Sequence, residues 1–345
     1  MTRPRNMFWL GLFGLLLAPN LAHGIEYLLA MSADNAGAAN TSTIRSIALD
    51  NTYAITNQKE LLSGYTGAIS GLATISNSLY VANTSKYANG YTISSDGAGN
   101  LNTSALGGFT TINSGSGTGG SNLGNVKGIS VNSTNLVAAI SSTSNVALYD
   151  PATGSAGSPA SFAGAASQWK SVLAPNGNYY VISNTSIGVY NSSGTPQGTL
   201  SLPFTPTNLR DIVFSDSSTL FLTDYASSGG VYKLSLSNPT TSAGVNGFGT
   251  SGFVSYSNAF GLALSADASQ IYVSRYFSSS NTNRSEIDRL STSAGAKNTV
   301  IASTNNPYAY QYLAVSVIVP EPSSVILGGI SAAGMILLAR YRKRV

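Results

Sequence analysis

Four cations stand at the same position of a pattern that recurs along the chain. The pattern aligns on six apolar residues, Ile47, Leu72, Ile129, Val172, Ile212 and Leu262. Two residues before them stand Arg45, Ser70, Lys127, Lys170, Arg210 and Phe260. If the six segments are equivalent strands around one axis, these cations form a basic ring at one mouth of a central channel. The alternative is that they pair with neighbouring carboxylates or face solvent.

A basic ring would recruit anionic ligands, because a concave site of one charge sign concentrates ligands of the opposite sign. A uronate or a sulfated sugar of an extracellular polysaccharide fits this requirement. Trp169 directly precedes Lys170 and could add an aromatic surface for stacking on a sugar. A solitary tryptophan also serves to pack a core or a sheet edge, and the sequence leaves both roles open.

The residue inventory excludes several kinds of catalysis. The chain has no cysteine, and its single histidine, His23, lies near the N-terminus in a segment expected to be removed. Catalytic triads with histidine, cysteine nucleophiles and conventional zinc or copper sites are therefore excluded. We assign no catalytic residue, cofactor or metal. Carboxylate or tyrosine chemistry stays open as an alternative.

The acidic residues are mostly predicted to shape turns. Asp50, Asp216 and Asp267 each stand in a polar turn between two apolar stretches, where aspartate bends the backbone. Asp34-Asn35 and Glu286-x-Asp288 contain the oxygen ligands that calcium prefers. Neither run matches the ligand spacing of an EF-hand loop, so we assign no calcium site.

The recurring segment predicts pairs of β-strands. Residues 44–56, 70–82, 127–139, 170–182, 210–223 and 260–274 each contain an apolar strand, a polar turn and a second strand. A third strand and a weaker fourth usually follow, and the mean spacing of about 43 residues is typical of propeller blades. We predict an all-β propeller of about seven four-stranded blades over residues 25–319, with six blades as the alternative. Residues 312–318 are expected to close the ring by pairing with residues 25–31.

Three short strings support this fold. SLYVAN (78–83), IYVSR (271–275) and LFLTD (220–224) resemble the β-propeller repeats of the YVTN and NHL families. The resemblance is to a blade pattern and implies a propeller body. A pair of β-sandwiches or a right-handed β-helix is the structural alternative.

The N-terminal segment, residues 1–24, has the organisation of a secretory signal peptide with a signal helix. Arg3 and Arg5 precede an apolar stretch from Phe8 to Ala18, and Ala22-His23-Gly24 forms a small-x-small cleavage site. Signal peptidase is expected to cut after Gly24. An uncleaved anchor is the alternative.

The C-terminal segment, residues 320–345, combines three features in a fixed order. The triplet Pro320-Glu321-Pro322 precedes an apolar stretch, residues 325–339, which predicts a transmembrane helix. A basic end follows, containing Arg340, Arg342, Lys343 and Arg344. These cations are expected to stay in the cytoplasm. An ordinary single-pass anchor would have the same last two features.

This order resembles the PEP-CTERM sorting signal, also called the ice-binding protein C-terminal domain. The resemblance implies recognition of Pro320-Glu321-Pro322 by an exosortase, after a transient stay in the inner membrane. It also implies a final place at the cell surface or in an extracellular, exopolysaccharide-rich biofilm matrix. The flat Thr-x-Thr arrays of a solenoid that binds ice are absent from the sequence.

The charge distribution argues against nucleic acid as a partner. The formal net charge is +4, but six cations and Glu321 lie in the two terminal segments. Residues 25–319 then hold 11 Lys and Arg against 12 Asp and Glu, too few cations to displace phosphate counterions. The sequence therefore predicts an exported surface or matrix protein that binds a ligand such as polysaccharide. An extracellular hydrolase or lyase is the alternative.

Overall fold

The computed structural model describes residues 25–34, 41–66, 69–83, 87–96, 99–112, 126–140, 144–245, 253–277, 284–302 and 308–318. The predicted signal peptide, sorting motif, apolar stretch 325–339 and basic end lie outside these residues. Within them, every regular element is a β-strand, and no helix is long and apolar enough to cross a membrane.

The strands form six antiparallel sheets over the described ranges, which we number as blades from the N-terminus. Blade 1 contains β1 (Ile25–Asp34), β2 (Thr41–Leu49), β3 (Ile55–Thr66) and, as its innermost strand, β25 (Tyr308–Ile318). Blade 2 contains β4 (Ile69–Ile75), β5 (Ser78–Asn83), β6 (Tyr87–Ser95) and β7 (Leu101–Ala105). Blade 3 contains β8 (Val126–Val131), β9 (Leu136–Ile140), β10 (Asn145–Tyr149) and β11 (Ala156–Ala163).

The remaining three blades follow the same order from the inside outward. Blade 4 contains β12 (Lys170–Leu173), β13 (Tyr179–Ile182), β14 (Ile187–Tyr190) and β15 (Pro196–Thr199). Blade 5 contains β16 (Leu209–Phe214), β17 (Thr219–Asp224), β18 (Gly230–Asn238) and β19 (Ser242–Val245), with β20 (Phe253–Ser255) paired to β18. Blade 6 contains β21 (Ala259–Leu264), β22 (Gln270–Phe277), β23 (Arg284–Ser291) and β24 (Lys297–Ile301).

The predicted propeller is confirmed, with six blades, the smaller of the two predicted numbers. The closing contact between the two ends of the body is also present, because β25 lies next to β1. The alignment of the six recurring segments was wrong for the first of them. Residues 44–56 span β2 and the start of β3, which are the third and fourth strands of blade 1 rather than its first two. The innermost strand of that blade is β25, which lacks a neighbouring hairpin partner in the sequence and therefore does not show the recurring pattern.

The hydrophobic core lies between neighbouring blades. Between blades 4 and 5, for example, Tyr180 and Ile182 pack in one cluster with Leu209, Ile212 and Leu222, and all five are buried. Burying one such aliphatic side chain contributes about 1.5 to 3 kcal/mol relative to leaving it in water. A series of these interfaces allows the blades to stack around a common axis without disulfides.

Close approach of the inner strands depends on glycine at two positions. A Cβ atom added to Gly128 would lie 2.4 Å from the carbonyl oxygen of Trp169 in the next blade. A Cβ atom on Gly261 would lie 2.1 Å from the carbonyl oxygen of Gln311. Real Cβ atoms do not approach backbone oxygen so closely, so these glycines allow the strands to converge at the channel.

Two of the turn aspartates stand in equivalent hairpins and stabilise them. Asp216, between β16 and β17, accepts hydrogen bonds from the backbone N–H groups of Ser218 and Thr219, both at 2.8 Å. Asp267 accepts one from the N–H of Ser269 at 3.0 Å in the matching turn of blade 6. Asp50 caps the turn between β2 and β3, so its hairpin joins the third and fourth strands instead. All three carboxylates thus have a structural role in turns.

Candidate functional site: the basic, aromatic mouth of the channel

The six innermost strands surround the channel and begin at the same end of it. Residues in the first half of these strands lie around a narrow constriction; they include Gly71, Gly128, Lys170, Arg210 and Tyr312. Their later residues surround a wider space of about 310 Å³. We call the end where these strands begin the mouth. The opposite end, formed by the hairpins that leave the inner strands, is the turn face.

Arg210 lines the mouth and has three aromatic rings around it. Its guanidinium carbon lies 3.5 Å from the ring centroid of Trp169, 5.5 Å from Tyr225 and 5.9 Å from Phe260. Its Nε and Nη1 atoms are buried, and neither has a hydrogen-bond partner among the described residues. Burial lowers the pKa of Arg210, but an arginine side chain stays protonated in proteins. The mouth therefore contains a fixed positive charge, and the two donors without partners lie beneath its surface.

Trp169 is held from two sides. Its backbone N–H donates to the carbonyl oxygen of Ile182 at 2.8 Å, and its indole Nε1–H donates to the side-chain oxygen of Asn184 at 2.5 Å. Lys127 places its Nζ atom 5.3 Å from the same ring centroid. The two cations come from the blades before and after Trp169. The tryptophan thus lies next to both Arg210 and Lys127.

Lys170 differs from the other cations because its charge is neutralised. Its Nζ atom makes an ion pair with Asp211 of the next blade, and the two side chains are only 14% and 5% exposed. The Asp211 carboxylate also accepts the N–H groups of Ile212 at 2.7 Å and Leu262 at 2.9 Å. This ion pair therefore joins blades 4, 5 and 6 and adds no surplus charge to the mouth.

Arg45 lies away from the mouth. It belongs to β2, the third strand of blade 1, where it stands opposite Glu60 of β3. The position that the alignment gave to Arg45 belongs to Gln311, two residues before Leu313 in the inner strand β25. The predicted ring of four cations is therefore corrected to Lys127 and Arg210, with Lys170 paired to Asp211.

Three tyrosines at the mouth were not predicted. The ring centroid of Phe260 lies 5.5 Å from that of Tyr312, 5.7 Å from Tyr225 and 6.1 Å from Tyr276. Tyr225 directly follows the second strand of blade 5, and Tyr276 lies near the end of the second strand of blade 6. Those ends stand beside the starts of the inner strands, as the register of Leu209 with Asp224 shows. This register is the signal that could have identified them.

The phenol groups at the mouth are donors rather than bases. Burial raises the pKa of Tyr225 and, more strongly, that of Tyr312. The hydroxyl of Tyr312 donates to the carbonyl oxygen of Lys127 at 3.3 Å. At neutral pH these side chains therefore stay protonated. The hydroxyl of Tyr225 can donate to a ligand's oxygen atom, whereas that of Tyr312 already donates to Lys127.

The carboxylates near the mouth are already engaged. Asp224 is buried and accepts the backbone N–H groups of Thr207 at 2.9 Å and Asn208 at 2.6 Å. Asp211 is engaged by Lys170 and two backbone donors, as described above. Neither carboxylate is placed as an unpaired group facing the channel.

The Glu286-x-Asp288 run, considered as a source of calcium ligands, contacts cations. Glu286 pairs with Arg275, and Lys297 lies 3.5 Å from Glu286 and 3.0 Å from Asp288. The hydroxyl of Tyr256 also donates to Asp288. In the part of the chain that the structure describes, no group of three or more His, Cys, Asp or Glu residues is placed to hold a metal ion.

Comparison with known proteins identifies the fold. No protein-family profile and no curated protein matches the chain. A chain in a nidogen–laminin complex is similar over 84% of this chain and 98% of its own length, with a TM-score of 0.57 and 14% identity. A Bacteroides caccae protein of unknown function gives a TM-score of 0.51 at 12% identity, with the same coverage. A putative 6-phosphogluconolactonase from Bacteroides fragilis gives 0.50 at 14% identity, again over 84% and 98%.

The likeness extends to the fold alone. Their identity to this chain is only 12% to 14%, and one of the three is itself described as a protein of unknown function. The function has to be argued from the mouth itself.

Proposed function

We propose that this protein is an exported β-propeller that binds an acidic polysaccharide at the mouth of its channel. Export follows from the predicted signal peptide, and sorting to the cell surface or matrix follows from the PEP-CTERM-like tail and an exosortase. The observation that carries the binding role is Arg210, a fixed positive charge held against Trp169 at the mouth, with the second cation Lys127 next to the same ring.

The chemistry of Arg210 matches a carboxylate or sulfate. A guanidinium presents several N–H donors in one plane and binds such groups with charge-assisted hydrogen bonds. Stacking on Trp169 fixes that plane before a ligand arrives, so less conformational entropy is lost on binding. Lys127 adds a second cation next to the same ring, which favours a polyanion over a single neutral sugar.

The surroundings of Arg210 suit a sugar ring. Tyr225, Tyr276 and Tyr312 are each partly exposed and combine an apolar ring face with a hydroxyl group. Such side chains can contact the C–H face of a sugar and donate to its hydroxyl groups. An acidic sugar would therefore place its charged group at Arg210 and its ring on the neighbouring tyrosines.

A ligand-binding role accounts for the residues at the mouth better than an enzyme that cleaves its substrate by hydrolysis or elimination. A glycosidase needs two carboxyl groups about 5 to 10 Å apart, free to act on the substrate. Asp211 and Asp224 are instead bound to a cation or to backbone donors. Elimination needs a base, whereas burial keeps Tyr225 and Tyr312 protonated. These contacts favour the non-enzymatic role.

The test compares two variants that each remove one positive charge. Arg210→Gln should weaken binding to alginate, since a hydrogen bond to a charged group is worth about 1.5 to 3 kcal/mol, or about 10- to 150-fold. Lys59→Gln, on the exposed outer strand β3, should bind like the unmodified protein. Affinity is measured by titration at one fixed salt concentration, with neutral dextran as the reference polymer.

Four outcomes decide the proposal. Selective loss in Arg210→Gln supports binding at the mouth. Equal losses in the two variants would mean non-specific charge attraction, and no loss in either would place the ligand elsewhere. Release of reducing ends or unsaturated sugars, measured in the same samples, would favour the enzyme instead.

A further inference from the structure

The two cations of the mouth lie on the same side of it. Lys127 comes from β8 of blade 3 and Arg210 from β16 of blade 5, and both approach the ring of Trp169, which directly precedes β12 of blade 4. The Nζ atom of Lys127 lies 5.3 Å from that ring centroid, and the guanidinium carbon of Arg210 lies 3.5 Å from it. The two charges therefore share one ring and form a single basic half of the mouth.

Phenol rings continue the mouth on the other side of Arg210. Tyr225 follows β17 of blade 5, and its ring centroid lies 5.5 Å from the guanidinium carbon of Arg210. Tyr276 belongs to β22 of blade 6, and its ring centroid lies 6.4 Å from that of Tyr225 and 6.1 Å from that of Phe260. Phe260 is buried, so a ligand can reach the two tyrosines, which are both partly exposed. From blade 3 to blade 6 the mouth thus changes from cations to phenol rings.

The charged residues next to these tyrosines do not extend the basic half. Arg275 directly precedes Tyr276 and makes an ion pair with Glu286, so its charge is neutralised. Asp224 directly precedes Tyr225 and is a buried carboxylate that accepts two backbone N–H groups. Its negative charge disfavours a second carboxylate close to Tyr225, because like charges repel.

An acidic sugar and an uncharged sugar would therefore meet different surroundings along the mouth. A carboxylate beside Lys127 and Arg210 exchanges water for charge-assisted hydrogen bonds. The same carboxylate on Tyr276 would lose water without gaining a cation as its partner, because Arg275 is already paired. An uncharged sugar does not have this cost, and its C–H face can contact a tyrosine ring. Such a difference in affinity is what selects one polymer over another.

We propose that the mouth selects a polysaccharide in which an acidic sugar adjoins an uncharged one. This inference rests on the proposed function and adds the order of the sugars to it. The acidic sugar contacts Lys127 and Arg210, and the uncharged sugar contacts Tyr225 and Tyr276. A polymer made only of uronates would satisfy the basic half but would place a carboxylate on the tyrosines. Tyr276 then determines specificity, whereas Arg210 supplies affinity for any acidic polymer.

The test compares oligosaccharides of equal length from hyaluronan and from alginate. Hyaluronan alternates a uronate with an uncharged N-acetylhexosamine, whereas every sugar of alginate is a uronate. Attraction by charge alone would favour alginate, which has the higher charge density. We expect the unmodified protein to bind the hyaluronan oligosaccharide more tightly, as measured by titration calorimetry at one fixed salt concentration.

Three variants locate the source of this preference. Tyr276→Ala removes one ring contact and should weaken hyaluronan binding about 2- to 10-fold. It should leave alginate binding unchanged, which also shows that the variant is folded. Arg210→Gln should weaken the binding of both oligosaccharides. Tyr91→Ala is the matched control and should weaken neither, because this partly exposed tyrosine lies opposite Leu79 in the middle of blade 2, away from the mouth.

The outcomes separate a failure of this inference from a failure of the proposed function. Alginate bound as tightly as hyaluronan, or more tightly, would overturn the inference and leave the proposed function intact. An unchanged hyaluronan affinity in Tyr276→Ala, or equal losses for both oligosaccharides, would overturn the assignment of the uncharged sugar to the tyrosines. Binding of neither oligosaccharide by the unmodified protein would overturn the proposed function and this inference with it.

Discussion

The guanidinium carbon of Arg210 lies 3.5 Å from the ring centroid of Trp169, so the cation covers a face of the tryptophan. Trp169 was predicted either as a stacking surface for a sugar or as a packing residue. The structure indicates a different role, in which the indole supports Arg210 and is itself held by Asn184. The proposed ligand would then meet the arginine and the neighbouring tyrosines rather than the tryptophan face.

Replacing Trp169 should therefore weaken polymer binding by loosening Arg210. A cation–π contact is worth about 0.5 to 2 kcal/mol, so Trp169→Ala should bind alginate about 2- to 30-fold more weakly. The affinity is measured by titration, with far-ultraviolet circular dichroism recorded to show that the blades are intact. Trp169→Phe keeps an aromatic ring and should lose less. Equal affinities for Trp169→Ala and the unmodified protein would contradict the supporting role.

The ion pair between Lys170 and Asp211 should contribute to stability rather than to ligand binding. Lys170→Met leaves Asp211 as an unpaired buried carboxylate, and removing one partner of a buried pair costs about 3 to 5 kcal/mol. The free energy of unfolding is measured by urea titration. The double variant with Asp211→Asn should be less destabilised than the sum of the two single variants. Lys59→Met, which changes an exposed cation in β3, should stay close to the unmodified protein.

The stability of the fold should decrease in acid because of the turn aspartates. Hydrogen bonds from Ser265, Ser269 and Tyr53 lower the pKa of Asp267 to about 2, below the value of about 4 in an unfolded chain. The ionised carboxylate thus stabilises the fold above about pH 4, and this contribution is lost as the pH falls towards 2. Urea midpoints measured from about pH 5 to about pH 2 should show the decrease. The difference between Asp267→Ala and the unmodified protein should shrink over the same interval, and a constant difference would contradict this account.

Much of the fold was predictable because the strands of one blade are adjacent in the sequence. Five of the six strand pairs were placed correctly in the inner half of a blade, since each has apolar strands around a polar turn. Residues 44–56 carry the same local pattern but form outer strands, because β25 supplies the inner strand of blade 1. A local pattern cannot show whether a hairpin is the inner or the outer one of its blade.

Less of the site was predictable, because its contacts cross between blades. Asp211 neutralises Lys170 from the inner strand of the following blade, which is far from it in the sequence. Tyr225 and Tyr276 reach the mouth only because second strands return to it, which requires the register of each strand pair. The alignment did identify Lys127 and Arg210, since equivalent positions of inner strands lie at the same height along the channel.

Gly128 should be needed to position Trp169. An added Cβ atom would lie 2.4 Å from the carbonyl oxygen of Trp169, so Gly128→Ala must displace one of the two inner strands. Overpacking of this kind typically costs about 1 to 3 kcal/mol. We expect a lower free energy of unfolding and weaker alginate binding, because the indole that supports Arg210 would move with its backbone.

Intrinsic fluorescence provides a direct measurement of that displacement. The chain has two tryptophans, and the other, Trp9, lies in the predicted signal peptide, so the processed protein reports on Trp169 alone. Gly128→Ala should shift the emission maximum. Gly244→Ala is the matched control, because it lies in strand β19 and its added Cβ would meet only the Ser235 carbonyl oxygen at 4.0 Å. A shift of the same size in both variants, or none in Gly128→Ala, would show that the contact between blades 3 and 4 does not hold the tryptophan in place.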